Sequence, residues 1–323
     1  MSHFSLRLDM RAPTFAQSPP SRQYAAGLEM AAWADRLGLD EVMLSEHHGS
    51  DDNYLPSPLV YAAAIAGRTS QIRIRISALI LPLHDVLRVA EDVAVVDNIS
   101  NGRIELVVAG GFLPSEFAMF ERSLSERGVR VEEGVALLKQ AWTGEPFEYE
   151  GRELRVTPRP VQRPHPPILL GGSSESAARR AARIADGFVP AVPDLYAAYV
   201  EACRDLDQSP EEPRALGPGF LHVADDPEAA WAKIAPHALH ETNSYGRWYA
   251  ESGVTGPYDV SDDAGALRAS GGYQVLTPEQ CIALMRELGP DAWLFLHPLM
   301  GGMDPDLGWE SLELLAAKVL PAL

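Results

Sequence analysis

The triplet Glu46-His47-His48 opens the polar run Gly49-Ser50-Asp51-Asp52. Imidazole has an unperturbed pKa nearer neutrality than any other side chain, so this is where the chain is best equipped to give or take a proton. The triplet follows Asp40-Glu41-Val42-Met43-Leu44, which reads as a short buried strand. In a repeating β/α protein, that end of a strand is where chemistry is done. The same three residues would serve equally well as polar groups closing a strand. Metal ligation suits them less. Adjacent histidines on an extended segment point in opposite directions, and no HExxH or cysteine-rich spacing accompanies them. No metal is expected.

A second candidate is Leu169-Leu170-Gly171-Gly172-Ser173-Ser174, where an apolar strand meets two glycines, two serines and a helix. Glycines let the backbone approach a ligand, free N–H groups at the helix start favour an anion, and serine hydroxyls add donors. A plain serine cap needs no ligand at all. The loop follows the fifth strand, so the general rule placing phosphate after strands seven and eight does not support it. Gly110 and Gly111 form another pair at a strand end, either a turn or a place for a flat ring or phosphate to come close. Ser77, Ala78 and Leu79 lie late in the third strand, where small residues leave space. His297 ends the last strand on the same rim and is expected to touch substrate.

The elements that would position these residues alternate. Strands fall at 4–9, 41–45, 72–81, 103–111, 168–170, 187–190, 219–223 and 292–296, with helices at 20–37, 57–69, 85–99, 115–142, 175–185, 194–206, 278–288 and 309–320. Two insertions interrupt the rhythm: residues 145–167, with a hairpin-like start and a proline-rich continuation, and residues 251–276, which read as a long loop. Eight βα units predict a single (β/α)8 TIM barrel over residues 1–323, of α/β class. An open doubly wound sheet is the main alternative, but no Gly-rich dinucleotide turn follows the first strand. Met30, Trp33 and Trp231 are expected in the core.

Composition narrows the partners. The 323 residues carry a formal charge of −18 with a pI near 4.9, which argues against general affinity for nucleic acid or anionic membranes. Residues 1–20 show no apolar signal core, and no run approaches the roughly 20 apolar residues of a membrane span. Cys203 and Cys281 lie far apart in helix-like segments, so a reducing cytoplasm is the expected location.

With these residues in place, the chain resembles the bacterial luciferase-like family of flavin-dependent monooxygenases. The likeness runs almost end to end: AAWADRLGLDEVMLSEHHGSDDNYLPSPL (31–59), RTSQIRIRISALILPLHDVLRVAEDVAVVDNISNGRIEL (68–106), GFLPSEFAMF (111–120), TGEPFEYEGRELRVTPRPVQ (143–162), LLGGSSESAARRAARIADGF (169–188) and HPLMGGMDPDLGWESLELLAAKVLPAL (297–323). The resemblance implies a (β/α)8 barrel, usually dimeric, holding reduced FMN at the C-terminal mouth of its strands. The flavin would add O2 at C4a, and the peroxide would oxygenate a small organic substrate. A separate NAD(P)H:flavin reductase would supply the reduced flavin. By position, His47 is the active-site histidine, with Glu46 and His48 supporting it. Ser77, Ala78 and Leu79 fall where the family often has a bulge with a non-proline cis peptide under the flavin ring. Gly171, Gly172, Ser173 and Ser174 align with the phosphate-holding loop. Where many relatives read VGAGY this chain reads VVAGGF (107–112), and the arginine that luciferases place near Gly110 is missing. A branch of the family uses the deazaflavin F420 for hydride transfer, and EHH resembles the FMN branch more. An F420-dependent oxidoreductase and a non-catalytic flavin-binding barrel are the alternatives. The 251–276 segment, with Tyr258 and Tyr273, is expected over the mouth.

Overall fold

Eight parallel strands carry the architecture in the computed structural model, which describes residues 3–210 and 213–323. They are β1 (His3–Leu8), β2 (Glu41–Leu44), β3 (Arg73–Ile80), β4 (Ile104–Ala109), β5 (Ile168–Gly172), β6 (Gly187–Pro190), β7 (Phe220–Val223) and β8 (Ala292–Leu296). The ladder runs β7-β8-β1-β2-β3-β4-β5-β6. Leu6 of β1 stands in register with Leu296 on one side and Val42 on the other, joining the end of the chain to its beginning. Helices alternate with the strands: α1 (Pro20–Leu37), α2 (Pro58–Ala66), α3 (Val86–Ser100), α4 (Arg127–Ala141), α5 (Glu175–Ile184), α6 (Leu195–Asp205), α7 (Pro227–Ser252), α8 (Pro278–Leu288) and α9 (Pro305–Leu314). This is a TIM-barrel-like α/β fold.

The strand pattern explains which side chains reach the site. In Ile72-Arg73-Ile74-Arg75-Ile76 the isoleucines are buried in the core shared with the helices, beside Val89, Val93 and Leu138. The alternate positions face the other side of the sheet. There Arg75 meets Glu105 at 3.1 Å and Glu41 at 3.8 Å, and Arg214 reaches Glu41 at 2.9 Å while covering the Trp293 ring at 3.8 Å. Glu41, Arg73 and Trp293 belong to the first residues of their strands. The N-terminal end of the barrel is therefore filled by paired charges and an indole, and the cavity lies at the other end.

Three sequence expectations change. The 251–276 segment is not a structureless loop: it contains a short helix, Ala264–Ala269, and a strand, Tyr273–Leu276. That strand pairs with β7 along the edge opposite β8, so among the described residues no ladder joins β6 to β7. The expected helix at 115–142 is broken into Pro114–Met119 and α4, with Glu121 at φ 51 between them. The 26-residue helix α7 has no counterpart in the sequence reading, because Pro236 interrupts its periodicity from inside. The hairpin expected after residue 145 is present, Phe147–Tyr149 against Arg152–Leu154, with Glu150 and Gly151 both at positive φ as a tight two-residue turn requires. Among the described residues no helix is long and apolar enough to cross a membrane.

Candidate active site

Residues at the C-terminal ends of β1 to β6 converge on one cavity of about 860 Å³. Its lining includes Met43, Ser45, Ser77, Ala78, Val107 and Ala109. Ser173, Ser174, Arg127 and Arg180 line it too, as do Phe112, Tyr249 and Tyr258.

The histidine loop is clamped by two carboxylates. Glu46 is buried, and its Oε2 accepts the Ile80 backbone N–H at 2.6 Å. Its Oε1 accepts Nε2–H from His84 at 2.7 Å and from His48 at 3.0 Å. Burial alone would raise the Glu46 carboxyl, but the hydrogen bonds from His48 and His84 outweigh it and bring the group down to about 2. Glu46 therefore ties the end of β2 to the end of β3. Glu116, from the short helix after β4, accepts both His47 Nδ1–H and the His48 backbone N–H through Oε1, each at 2.9 Å. His47 packs against Trp248 at 4.5 Å and meets Tyr54 edge-on at 4.8 Å. Its Nδ1 is committed to Glu116, and Nε2 has no hydrogen-bond partner among the described residues. His47 itself lines the cavity. Such an imidazole can hold, accept or deliver a proton there.

Beside it the third strand bulges: Ser77 is opposite Val107, but Leu79 is opposite Val108. The Ser77–Ala78 peptide is cis. Ser77 and Ala78 line the cavity, whereas Leu79 turns into the core and is fully buried.

Gly171, Gly172, Ser173 and Ser174 also line the wall. Ser174 caps α5, its hydroxyl accepting the Ala177 N–H at 3.3 Å. A Cβ on Gly172 would lie 2.4 Å from the Ala177 Cβ, so glycine is what lets the helix start so close to β5. The cation absent near Gly110 in the sequence comes from elsewhere. The Arg127 side chain packs over Gly110, where a Cβ would meet its Cγ at 3.6 Å, and Arg180 lies beside it with Nε on Glu132 at 2.8 Å. Two guanidinium groups, serine hydroxyls and a capped helix start form a set that fits a phosphate.

His297 does not reach the cavity wall. It is buried, with Nε2 3.3 Å from Asp9 Oδ2 and Nδ1 3.7 Å from Glu241 Oε1. Burial would raise the Asp9 carboxyl, but His297 and Arg11 hold it well below the usual carboxylate range. Glu241 also faces Arg7 at 3.2 Å. His48 lies behind the wall, on Glu46. Of the two tyrosines expected over the mouth, Tyr258 lines the cavity and Tyr273 donates to Glu241 at 2.9 Å, away from it. There are two sets of ligand-type atoms, Glu46–His48–His84 and Asp9–Glu241–His297, and within each set the atoms lie within 4.8 Å of one another. In the first the carboxylate already accepts from both histidines, and in the second two arginines face the carboxylates.

Sequence reasoning missed Glu116, Arg127, Arg180, Arg7, Tyr245 and Tyr249. The spacing of Tyr245, Trp248 and Tyr249 puts three rings on one helix face and was the available signal. Glu116 had none, since its partner is 69 residues away in sequence.

Known proteins are similar to this chain in sequence and in fold. "Uncharacterized protein y4wF" of Sinorhizobium fredii is 36% identical over 167 residues, 50% of this chain and 49% of that protein. The chain thus spans about half the length of the first curated relatives it matches, 49% and 46%. The oxygenase component of a flavin-dependent trigonelline monooxygenase from Acinetobacter baylyi is 25% identical over 264 residues, 76% of this chain and 71% of that protein. The crystal structure of the monooxygenase RslO1 from Streptomyces bottropensis superimposes with a TM-score of 0.79 at 27% identity, covering 99% of both chains. The relatives include both FMNH2-dependent and F420-dependent enzymes. The profile of one family, described as luciferase-like monooxygenase, matches residues 7–289, and to that family this chain belongs.

Proposed function

We propose that the chain is the oxygenase component of a two-component flavin-dependent monooxygenase, transferring one oxygen atom of O2 to a small organic substrate and the other to water. The observation that carries this reading is the set of groups lining one cavity: a phosphate-fitting set of cations and serines, the small residues Ser77 and Ala78, and an imidazole whose Nε2 is uncommitted. Reduced FMN would supply the two electrons and activate the oxygen. Arg127, Arg180, Ser173 and Ser174 would hold its phosphate, and the β3 bulge would support its ring. His47 would hold or deliver a proton at Nε2, with Glu116 keeping Nδ1 protonated and Glu46 and His48 keeping the loop in place. Tyr245 and Trp248 pack round the imidazole and exclude water.

A separate NAD(P)H:flavin reductase would regenerate the reduced cofactor. Two copies of the chain would associate in the cytoplasm; Val95 and Ile99, one turn apart on α3 and exposed, support pairing. The test is titration of the protein with FMN, reduced FMN and F420, followed by mixing with oxygen. Preference for reduced FMN and an oxygen-dependent transient absorbance before flavin reoxidation are expected. Preference for F420 without that transient would make this a hydride-transfer enzyme.

A further inference from the structure

Part of the cavity wall is built from rings. Phe112 leaves the end of β4, Tyr245 and Tyr249 lie on one face of α7, and Tyr258 comes from the segment that folds back across that helix. Tyr245 stacks on Tyr249 and on Tyr258, and Phe112 is tilted against Tyr249. Phe112 and Tyr249 are 5.4 Å apart at 34°, Tyr249 and Tyr245 6.2 Å at 29°, and Tyr245 and Tyr258 5.1 Å at 17°.

The segment is held there by close fits. Asn243 clasps the Ser261 backbone from both sides, its Oδ1 accepting at 2.8 Å and its Nδ2 donating at 2.8 Å. A Cβ on Gly256 would fall inside the Tyr249 ring, 2.2 Å from Cε2. Arg7 also lines the cavity, its guanidinium 3.5 Å from Tyr245 Oη and 3.2 Å from Glu241 Oε1. Burial pushes the Tyr258 phenol up to about 12, so it stays protonated.

The rings pack on one another, yet Phe112, Tyr249 and Tyr258 remain half-buried and line the cavity. Such rings offer a flat aromatic guest offset or edge-to-face contact that a puckered ring cannot match, and a guanidinium N–H beside them gives an oxygen acceptor a fixed partner.

Resting on the reading of the cavity as a monooxygenase site, we infer that its substrate is a planar aromatic compound bearing an oxygen acceptor. The ring lies against the Phe112–Tyr249–Tyr245–Tyr258 wall, and the oxygen points to Arg7.

Calorimetric titration with three matched probes tests this, on the protein with and without FMN. 1-Naphthol is expected to bind about tenfold tighter than decahydro-1-naphthol, which keeps the carbon frame and hydroxyl but is not flat. Naphthalene, lacking the oxygen, is expected to fall between them or below. In Tyr249→Leu the preference for 1-naphthol should vanish while decahydro-1-naphthol binding stays unchanged. Phe112→Leu gives the same reading if the first variant does not fold. Equal or tighter binding of the saturated probe overturns the inference. Failure of FMN to bind while the aromatic preference holds would overturn the monooxygenase reading and leave this one standing.

Discussion

Glu116 Oε1 lies 2.9 Å from His47 Nδ1 and 2.9 Å from the His48 backbone nitrogen, so one carboxylate oxygen orients both the ring and the main chain of the histidine pair. Because a carboxylate accepts, Nδ1 carries the proton in this contact, and Nε2 is left without a hydrogen-bond partner among the described residues. Replacing His47 by alanine should lower turnover by about 10² to 10⁴-fold, the range for loss of a positioned acid or base. Circular dichroism should be unchanged. Glu116→Gln keeps an acceptor oxygen and should cost less than Glu116→Ala, with the pH profile of kcat displaced in both. Identical kcat and pH profile in Glu116→Ala would remove the carboxylate from the mechanism.

Glu46 gives the fold a pH dependence with a definite sign. Its carboxyl is depressed to about 2, so the stability it contributes is present above its ordinary value and is lost as pH falls towards 2. His84 moves the other way. Burial lowers its pKa, but the hydrogen bond to Glu46 outweighs that and raises it above the ordinary value. The stability from that shift is fully present below pH 6.5 and fades as pH rises through the raised value. His84→Phe should therefore destabilise the protein more at pH 6 than at pH 9, measured as the shift in urea midpoint. An equal shift at both pH values would show that the pair contributes no charge-dependent stability.

How much of this was legible in the sequence depended on whether the signal was local. The strand ends at Glu46, Gly110 and Gly171, and the late part of β3 at Ser77, could be read because each is marked by a change of residue type within a few positions. Their convergence on one cavity followed from the alternation of strands and helices. His297 was misplaced because a residue at a strand end can point into the cavity or into the packing beneath it. Asp9 and Glu241, which claim it, are both remote from it in sequence, just past the end of β1 and inside α7. Arg127 was invisible as a cavity residue because the break at Glu121, which brings α4 back over Gly110, has no helix-ending glycine or proline at the left-handed position itself. Helix α7 was hidden by Pro236, and with it the aromatic wall.

Glu41 offers a control far from the cavity. Its carboxylate is buried and takes two contacts from Arg214, at 3.0 and 2.9 Å, with Arg75 3.8 Å away. Burial already holds the Arg75 guanidinium below its ordinary pKa. Glu41→Ala would leave these cations facing each other with less compensation, a change that costs about 3 kcal/mol or more for buried pairs. Chemical denaturation should show that loss, while FMN affinity at 25 °C stays within twofold. A large fall in FMN affinity at full folding would mean that the two ends of the barrel are coupled.

Arg127 and Arg180 stand where the phosphate reading is most exposed to test. Arg180 is partly committed, its Nε on Glu132 at 2.8 Å, and Arg127 NH1 donates to the Leu124 carbonyl at 2.9 Å. Both guanidinium groups keep further N–H donors, and both border the cavity. A charge-assisted bond to phosphate contributes about 1.5–3 kcal/mol, or roughly 10- to 100-fold in affinity. Arg127→Met should weaken FMN binding by about that factor and leave riboflavin, which lacks the phosphate, bound as before. Raising the ionic strength should weaken FMN binding in the parent protein and do so less in the variant. Equal losses for FMN and riboflavin would show that Arg127 shapes the cavity without touching phosphate, and Arg180→Met would then be the variant that decides whether any cation holds the phosphate.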